Sequence, residues 1–156
     1  MMTYWFTGQP GAGKTTLARA LKVAMERRGH PVAHLDGDDF RALLDNRDYS
    51  ESGRRRNIAT AQAFARLLNR DGILVVASFV SPYRSLREEF KRRAPVVEVH
   101  VHTTAVRGRE THFVASYEPP LEDFVDIDTT HLSVEECVET ILLSRPPPPG
   151  RFSERV

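Results

Sequence analysis

The chain reads as an α/β protein with a largely parallel, five-stranded sheet flanked by helices on both faces. Three observations predict it. Short apolar runs alternate with amphipathic stretches along the 156 residues, the pattern of repeated strand–helix–strand units. One of those runs, ILVVASF at residues 73–79, is apolar without alternation, as expected of a strand covered on both faces. A glycine-rich turn, GQPGAGKT at residues 8–15, separates the first strand from the first helix.

Taken in order, TYWFT at residues 3–7 is the first strand. Residues 14–28 follow as a helix, with Leu17, Leu21, Ala24 and Met25 at helical spacing and Gly29 and Pro31 ending it. PVAHLD is the second strand. Residues from about 54 to 70 form a second amphipathic helix through Ile58, Ala61, Ala65 and Leu68, broken by Asp71-Gly72. After the third strand, VVEVHVH at residues 96–102 alternates, with Val97, Val99 and Val101 opposite Glu98, His100 and His102. FVDID is the fifth strand. Ser133 and Glu136 form a capping box ahead of Val134, Val138, Ile141 and Leu142. This gives a single domain at residues 1–144 and a Pro-rich C-terminal tail at 145–156, read as polyproline II or disordered.

Composition narrows the function. Lysine and arginine total 22 against 21 acidic residues, a formal charge of +1, which supports neither a nucleic-acid-binding nor a membrane-surface protein. The single cysteine, Cys137, excludes an intramolecular disulfide and reads as a packed thiol. No apolar run reaches the ~18 residues of a membrane span, and MMTYWFTG lacks the features of a signal peptide. A cytoplasmic location is the expectation.

GQPGAGKT matches G-x-x-x-x-G-K-[ST] and lies between a strand and a helix, where a phosphate loop must lie. A chance match in a chain this long is on the order of one in two hundred, so a mere glycine-rich turn is the weaker reading. Gly8, Gly11, Ala12, Gly13, Lys14, Thr15 and Thr16 are therefore the expected ATP-binding residues of a P-loop NTPase fold. Lys14 would reach the β- and γ-phosphates and Thr15 would bind Mg²⁺. An N-K-x-D guanine element is absent and the chain is short, which leaves a small-molecule kinase with a second site. LDGDDFR at residues 35–41 follows the second strand, at the carboxyl edge where ligands bind. Asp38 is placed to take an acceptor proton or to help hold the metal with Thr15, with Asp36 beside it. An acidic helix start is the plainer alternative.

Five segments together, GQPGAGKTTLA, LDGDDFR, YSESGRRRNI, SFVSPYRSLRE and YEPPLEDFVDIDT, resemble the adenylylsulfate (APS) kinases, which phosphorylate the 3′-hydroxyl of adenosine 5′-phosphosulfate. The resemblance runs from residue 4 to about 143. It implies MgATP as donor and APS as acceptor. It also implies that Tyr49 stacks on the acceptor's adenine, that Arg54 holds the phosphosulfate and that Asn57 joins it. On a helix Arg54 and Asn57 share a face, while Arg55 and Arg56 rotate away by about 100° each and are read as solvated. Arg41 is a second anion contact. Ser81, Tyr83 and Arg84 of SPYR lie on the ligand edge, with Pro82 holding Ser81 extended. Relatives of this fold often pair, so a homodimer is compatible with the resemblance.

The chain departs from the family pattern after the fourth strand. His102 replaces an aspartate, and the lysine-rich lid is cut by roughly twenty residues to a remnant at about 103–118. On that remnant Arg107 and Arg109 would reach ATP, and Phe113 would take the second face of the adenine opposite Tyr49. A shortened lid lowers the rate, opens the site or changes the acceptor. Two alternatives therefore stay open: a kinase of another nucleotide or small-metabolite hydroxyl, and a weakly catalytic nucleotide-binding regulatory module. His100 and His102 form an H-x-H pair with no third ligand at a recognisable spacing, so the strand reads as having a polar face.

Overall fold

The computed structural model describes residues 1–149. β1 (Thr3–Thr7), β2 (Val32–Asp36), β3 (Leu74–Ser78), β4 (Val96–His102) and β5 (Phe124–Asp128) form one sheet in the order β2-β3-β1-β4-β5, every pairing parallel. Each strand lies within one residue of its expected ends. From β1 the chain goes to β2 at one edge and returns to β3 beside β1, then crosses to the other side for β4 and β5. This places the loop after β1 at the switch point, where an open parallel sheet leaves a crevice at its carboxyl edge.

α1 (Lys14–Arg27) and α5 (Val134–Ser144) cover one face, and α2 (Gly37–Leu43), α3 (Glu51–Arg70) and α4 (Arg84–Arg93) cover the other. β1 is buried throughout and its alternation feeds both cores. Tyr4 and Phe6 pack with Leu17, Leu21, Met25 and Ile141. Trp5 packs with Phe40, Ala61, Phe79 and Phe90, stacking on Phe79 at 5.0 Å and meeting the edge of Phe90 at 5.4 Å. Burying side chains of this kind contributes about 1.5–3 kcal/mol each, so the central strand anchors both layers.

Local signals explain the helix ends. Both halves of the Ser133–Glu136 capping box are formed. α3 starts at Glu51, earlier than expected, because the Ser50 hydroxyl accepts from the Gly53 N–H. α2 and α4 do not announce themselves by periodicity. α2 has only seven residues, and α4 turns Leu86 and Phe90 inward together with a buried arginine, Arg87.

That arginine overturns one expectation. Glu98 does not sit on a solvated face: it is 1% exposed, with Arg87 Nε at 2.6 Å and Lys91 Nζ at 2.9 Å. Two buried charges are tolerable because each is paired and hydrogen-bonded. The rest of the Arg87 guanidinium donates to the carbonyls of Ser81 and Glu118. Ser81 is not extended either; its φ is 46°, in the left-handed region. The preference that Pro82 imposes is overridden, since the Ser81 carbonyl is held by Arg87 and the preceding carbonyl by Thr7 Oγ1 at 2.8 Å.

At the other end, Arg145 opens the Pro-rich tail but is itself packed. Its carbonyl accepts from the Tyr4 hydroxyl at 2.7 Å, and its guanidinium meets Asp123 at 2.6 Å. The tail from residue 150 lies outside the described residues. No helix among the described residues is long and apolar enough to cross a membrane.

Removing one member of a buried ion pair leaves the other charge uncompensated, which costs about 3–5 kcal/mol. Arg87→Ala is therefore expected to lower unfolding free energy in urea by roughly that amount. A loss below about 1 kcal/mol, the scale of an exposed pair, would show that Arg87 is not holding this part of the fold.

Candidate active site

Residues 8–13 turn from β1 into α1 through three glycines at positive φ: Gly8 at 149°, Gly11 at 81° and Gly13 at 105°. Gly8 is also needed for space, since a Cβ there would lie 2.1 Å from the Val101 carbonyl oxygen. No side chain caps α1 at Gly13. Its first N–H groups, at Lys14, Thr15 and Thr16, have no helical carbonyl behind them and point at the crevice as an anion site. Lys14 is buried and its Nζ donates to the Gln9 carbonyl at 2.8 Å. Burial pushes its pKa down to about 8 against the pull of Asp36 and Asp38, with Arg109 pushing the same way. A phosphate would relieve that ammonium.

Thr15 is tied to a carboxylate, that of Asp36. Thr15 Oγ1 donates to Asp36 Oδ2 at 2.7 Å, and Ser78 Oγ donates to the same oxygen at 2.8 Å. Asp36 Oδ1 accepts from the Asp38 N–H, capping α2. The physical reason is position: Asp36 is the last residue of β2, paired with Ser78, whereas Asp38 is the second residue of α2 and exposed on the cleft. Burial raises the Asp36 pKa, and the bonds from Thr15, Ser78 and the head of α2 outweigh it and bring it below the usual range. The one Ser78 proton goes to Asp36, so His34 Nε2, 2.9 Å from Ser78 Oγ, must be the donor there. Neither His34 nor Ser78 was legible as a site residue.

A cleft of about 510 Å³ joins this loop to the residues expected to bind the acceptor. Gly11, Gly13, Lys14, Thr15, Thr16, Asp36, Asp38, Arg41, Tyr49, Arg54, Asn57, Ser81, Arg107 and Arg109 all line it. Gly8 and Ala12 instead shape the loop from behind: Gly8 abuts Val101, and the Ala12 carbonyl accepts from Thr129 Oγ1 at 2.7 Å. Arg41 lies over the Tyr49 ring at 4.2 Å and donates to the carbonyls of Asn46 and Asp48. Arg54 Nε donates to the Tyr49 carbonyl at 2.8 Å. Tyr49 itself is 59% exposed, and Asn57 is buried with its amide oxygen 3.4 Å from Asn46 Nδ2. The loop carrying these groups packs against the first turn of α3 through Gly53, where a Cβ would meet Asp48 Cγ at 2.2 Å.

Several residues are not where the sequence places them. Arg55 is not simply solvated: it pairs with Glu51 at 2.9 Å and lies over the Tyr83 ring at 4.1 Å. Tyr83 is therefore buried beneath Arg55 and does not line the cleft. Arg84 faces the other way, its N–H on Glu118 and its Nε on the Pro119 carbonyl. Phe113 is 49% exposed and also outside the cleft lining. Arg107 spends its guanidinium on the carbonyls of Gly11, Ala12 and Thr129, so it braces the phosphate loop. Arg109 is left facing Lys14 across the cleft.

Gln9, an unconstrained position of the loop motif, holds segment 103–118 down. Its side-chain amide donates to the Val114 carbonyl at 3.0 Å and accepts from the Val114 N–H at 2.9 Å. Tyr117 adds a contact to Thr7 Oγ1 at 3.2 Å. Thr15 meets the Asp36 carboxylate, with the Asp38 carboxylate lining the same cleft, an all-oxygen donor set that fits Mg²⁺.

A five-stranded parallel sheet, a phosphate loop between β1 and α1 and a carboxylate on its threonine define a P-loop phosphotransferase. The family model for adenylylsulphate kinase matches residues 1–118. The adenylyl-sulfate kinase of Chloroflexus aurantiacus is 37% identical over 161 aligned positions, covering 90% of this chain and 87% of that one. The chain belongs to the adenylylsulphate kinase family. Among solved structures, the Mycobacterium tuberculosis APS kinase in complex with AMPPNP and APS superposes with a TM-score of 0.79 at 25% identity, over 92% of this chain and 98% of that one. The hexameric APS kinase from Thiobacillus denitrificans gives a TM-score of 0.74 at 31% identity, over 91% of this chain and 28% of that one.

Asp36 accepts from the Thr15 hydroxyl, so Asp36→Asn is expected to weaken MgATP binding about 10-fold or more while changing metal-free ATP binding by less than about 2-fold. Calorimetric titration with and without EDTA separates the two. Equal losses in both would place Asp36 in loop folding alone.

Proposed function

We propose that this protein transfers the γ-phosphoryl group of ATP to the 3′-hydroxyl of adenosine 5′-phosphosulfate, with residues 1–144 as one kinase domain and 103–118 as its shortened lid. One observation carries the reading: the phosphate loop and Arg41, Tyr49, Arg54 and Asn57 line one continuous cleft. The γ-phosphoryl bond to ADP breaks, the 3′-oxygen–phosphorus bond forms, and the hydroxyl proton passes to Asp38. Lys14 leaves the Gln9 carbonyl for the β- and γ-phosphates. Arg41 and Arg54 grip the phosphosulfate as planar cations, and Arg41 vacates the Tyr49 face for the adenine. Thr15 would hold Mg²⁺, with Asp36 and Asp38 nearby; when bound, the ion supplies charge neutralisation at the phosphates.

Segment 103–118 bears on the acceptor's identity. The 161 aligned positions with the Chloroflexus relative exceed the whole length of this chain although 90% of it is covered, which is consistent with a deletion here. In the folded chain the remnant is latched by Gln9 and Tyr117, so Arg109 is the cation it offers to the transferring group. The reading carries with it a cytoplasmic location, where ATP is found, and leaves pairing with a second copy as its natural assembly.

Protein with MgATP is expected to release ADP and form 3′-phospho-APS only when APS is present, and Lys14→Ala to abolish both. Arg54→Ala should raise the KM for APS by about 10-fold or more with the KM for ATP within about 2-fold, and Arg56→Ala should change neither. No APS-dependent ADP release with intact ATP binding would overturn the acceptor assignment.

A further inference from the structure

Outside the cleft, one cluster has the makings of a site. We propose that His100, His102 and Asp126 bind a late first-row divalent cation of the Zn²⁺ class, at the base of segment 103–118 and separate from the nucleotide's magnesium. Strand geometry assembles it. His100 and His102 are two apart on β4 and so share a face, and the parallel register sets Asp126 of β5 beside His100. The carboxylate spans both rings, Oδ1 at 3.0 Å from His100 Nδ1 and Oδ2 at 3.0 Å from His102 Nε2.

The rings point one way, with centroids 5.1 Å apart and planes 29° apart. Tyr117 stacked on His100 and Phe124 edge-on to it fix the inner ligand. The three ligand atoms lie within 4.8 Å of one another. Tetrahedral zinc with bonds of about 2.0–2.1 Å needs them about 3.3 Å apart. The adjustment falls on the two freer side chains, Asp126 at 55% and His102 at 38% exposed. That same exposure gives the ion an entry path and leaves a fourth position for water.

The donor chemistry selects the metal. Two imidazoles and one carboxylate suit Zn²⁺, Co²⁺ or Ni²⁺, whereas Mg²⁺ and Ca²⁺ prefer oxygen. In the hydrogen-bonded arrangement each ring nitrogen facing Asp126 carries the proton, because a carboxylate only accepts. Metal binding needs the other neutral tautomer, a proton shift within each ring and no net charge change. The ion would clamp β5, which among the described residues is an edge strand paired with β4 alone. It would also brace the phosphate-loop wall, since the Thr129 N–H donates to the His102 carbonyl and its hydroxyl to the Ala12 carbonyl.

The competing explanation is a hydrogen-bonded His–Asp–His bridge that binds nothing. Tag-free, EDTA-stripped full-length protein, in excess Mg²⁺, would be titrated with Zn²⁺ against a chromophoric chelator and with Co²⁺ by visible absorption. The expected result is one equivalent with Kd below about 1 μM and a tetrahedral Co²⁺ spectrum. Asp126→Asn and His102→Gln should each weaken Zn²⁺ binding about 10-fold or more, with retained ATP binding and circular dichroism showing that they fold. His112→Gln, on the exposed segment, should leave it unchanged. No stoichiometric binding, or binding that Asp126→Asn and His102→Gln leave unaltered, would overturn the proposal.

Discussion

The site depends on one carboxylate. Asp36 accepts from Thr15 at the head of α1, from Ser78 at the end of β3 and from the Asp38 N–H at the head of α2. The heads of α1 and α2 and the end of β3 are thereby joined at the carboxyl edge of the sheet. The parallel register makes this available, since Asp36 and Ser78 are paired residues of neighbouring strands. Half-buried charge is expensive unless it is satisfied, and these three hydrogen-bond donors satisfy this one. The nearby Lys14 ammonium is less well served, held only by a carbonyl of its own loop. An anion completes the balance, so the loop is electrostatically prepared for phosphate.

The acceptor side rests on a second buried charge. Arg87 ties α4 to Glu98 of β4 and at the same time grips the carbonyls of Ser81 and Glu118. Ser81 keeps its left-handed backbone because that grip offsets the local cost. The loop lining the cleft and the segment returning from 103–118 are thus fastened to the same guanidinium. Stability and site geometry are coupled there through one side chain.

Much of this was legible in the sequence, and the rest fails for physical reasons. Buried strands are continuous or alternating apolar runs, so all five could be read, and the phosphate loop is fixed by spacing because backbone geometry demands it. Helical rotation separates Arg54, which lines the cleft, from its neighbours, yet it misplaces Arg55, whose partner Tyr83 comes from a different segment. Asp36 and Asp38 are equivalent in a motif; only the strand end distinguishes them. Arg87, Ser78 and Gln9 carry no local signal, since their roles exist only across the fold. For the same reason the third ligand of the histidine pair lies on the next strand, out of reach of any spacing rule.

The most direct test of the acceptor cleft is the ratio of kcat/KM for adenosine 5′-phosphosulfate to that for adenosine 5′-phosphate and adenosine 5′-phosphoramidate, with MgATP as common donor. A site built to hold the phosphosulfate through Arg41 and Arg54 should favour the phosphosulfate by about 100-fold or more over each. Comparable or higher kcat/KM for either of the others would show that the cleft, with its shortened cover, serves a different nucleotide.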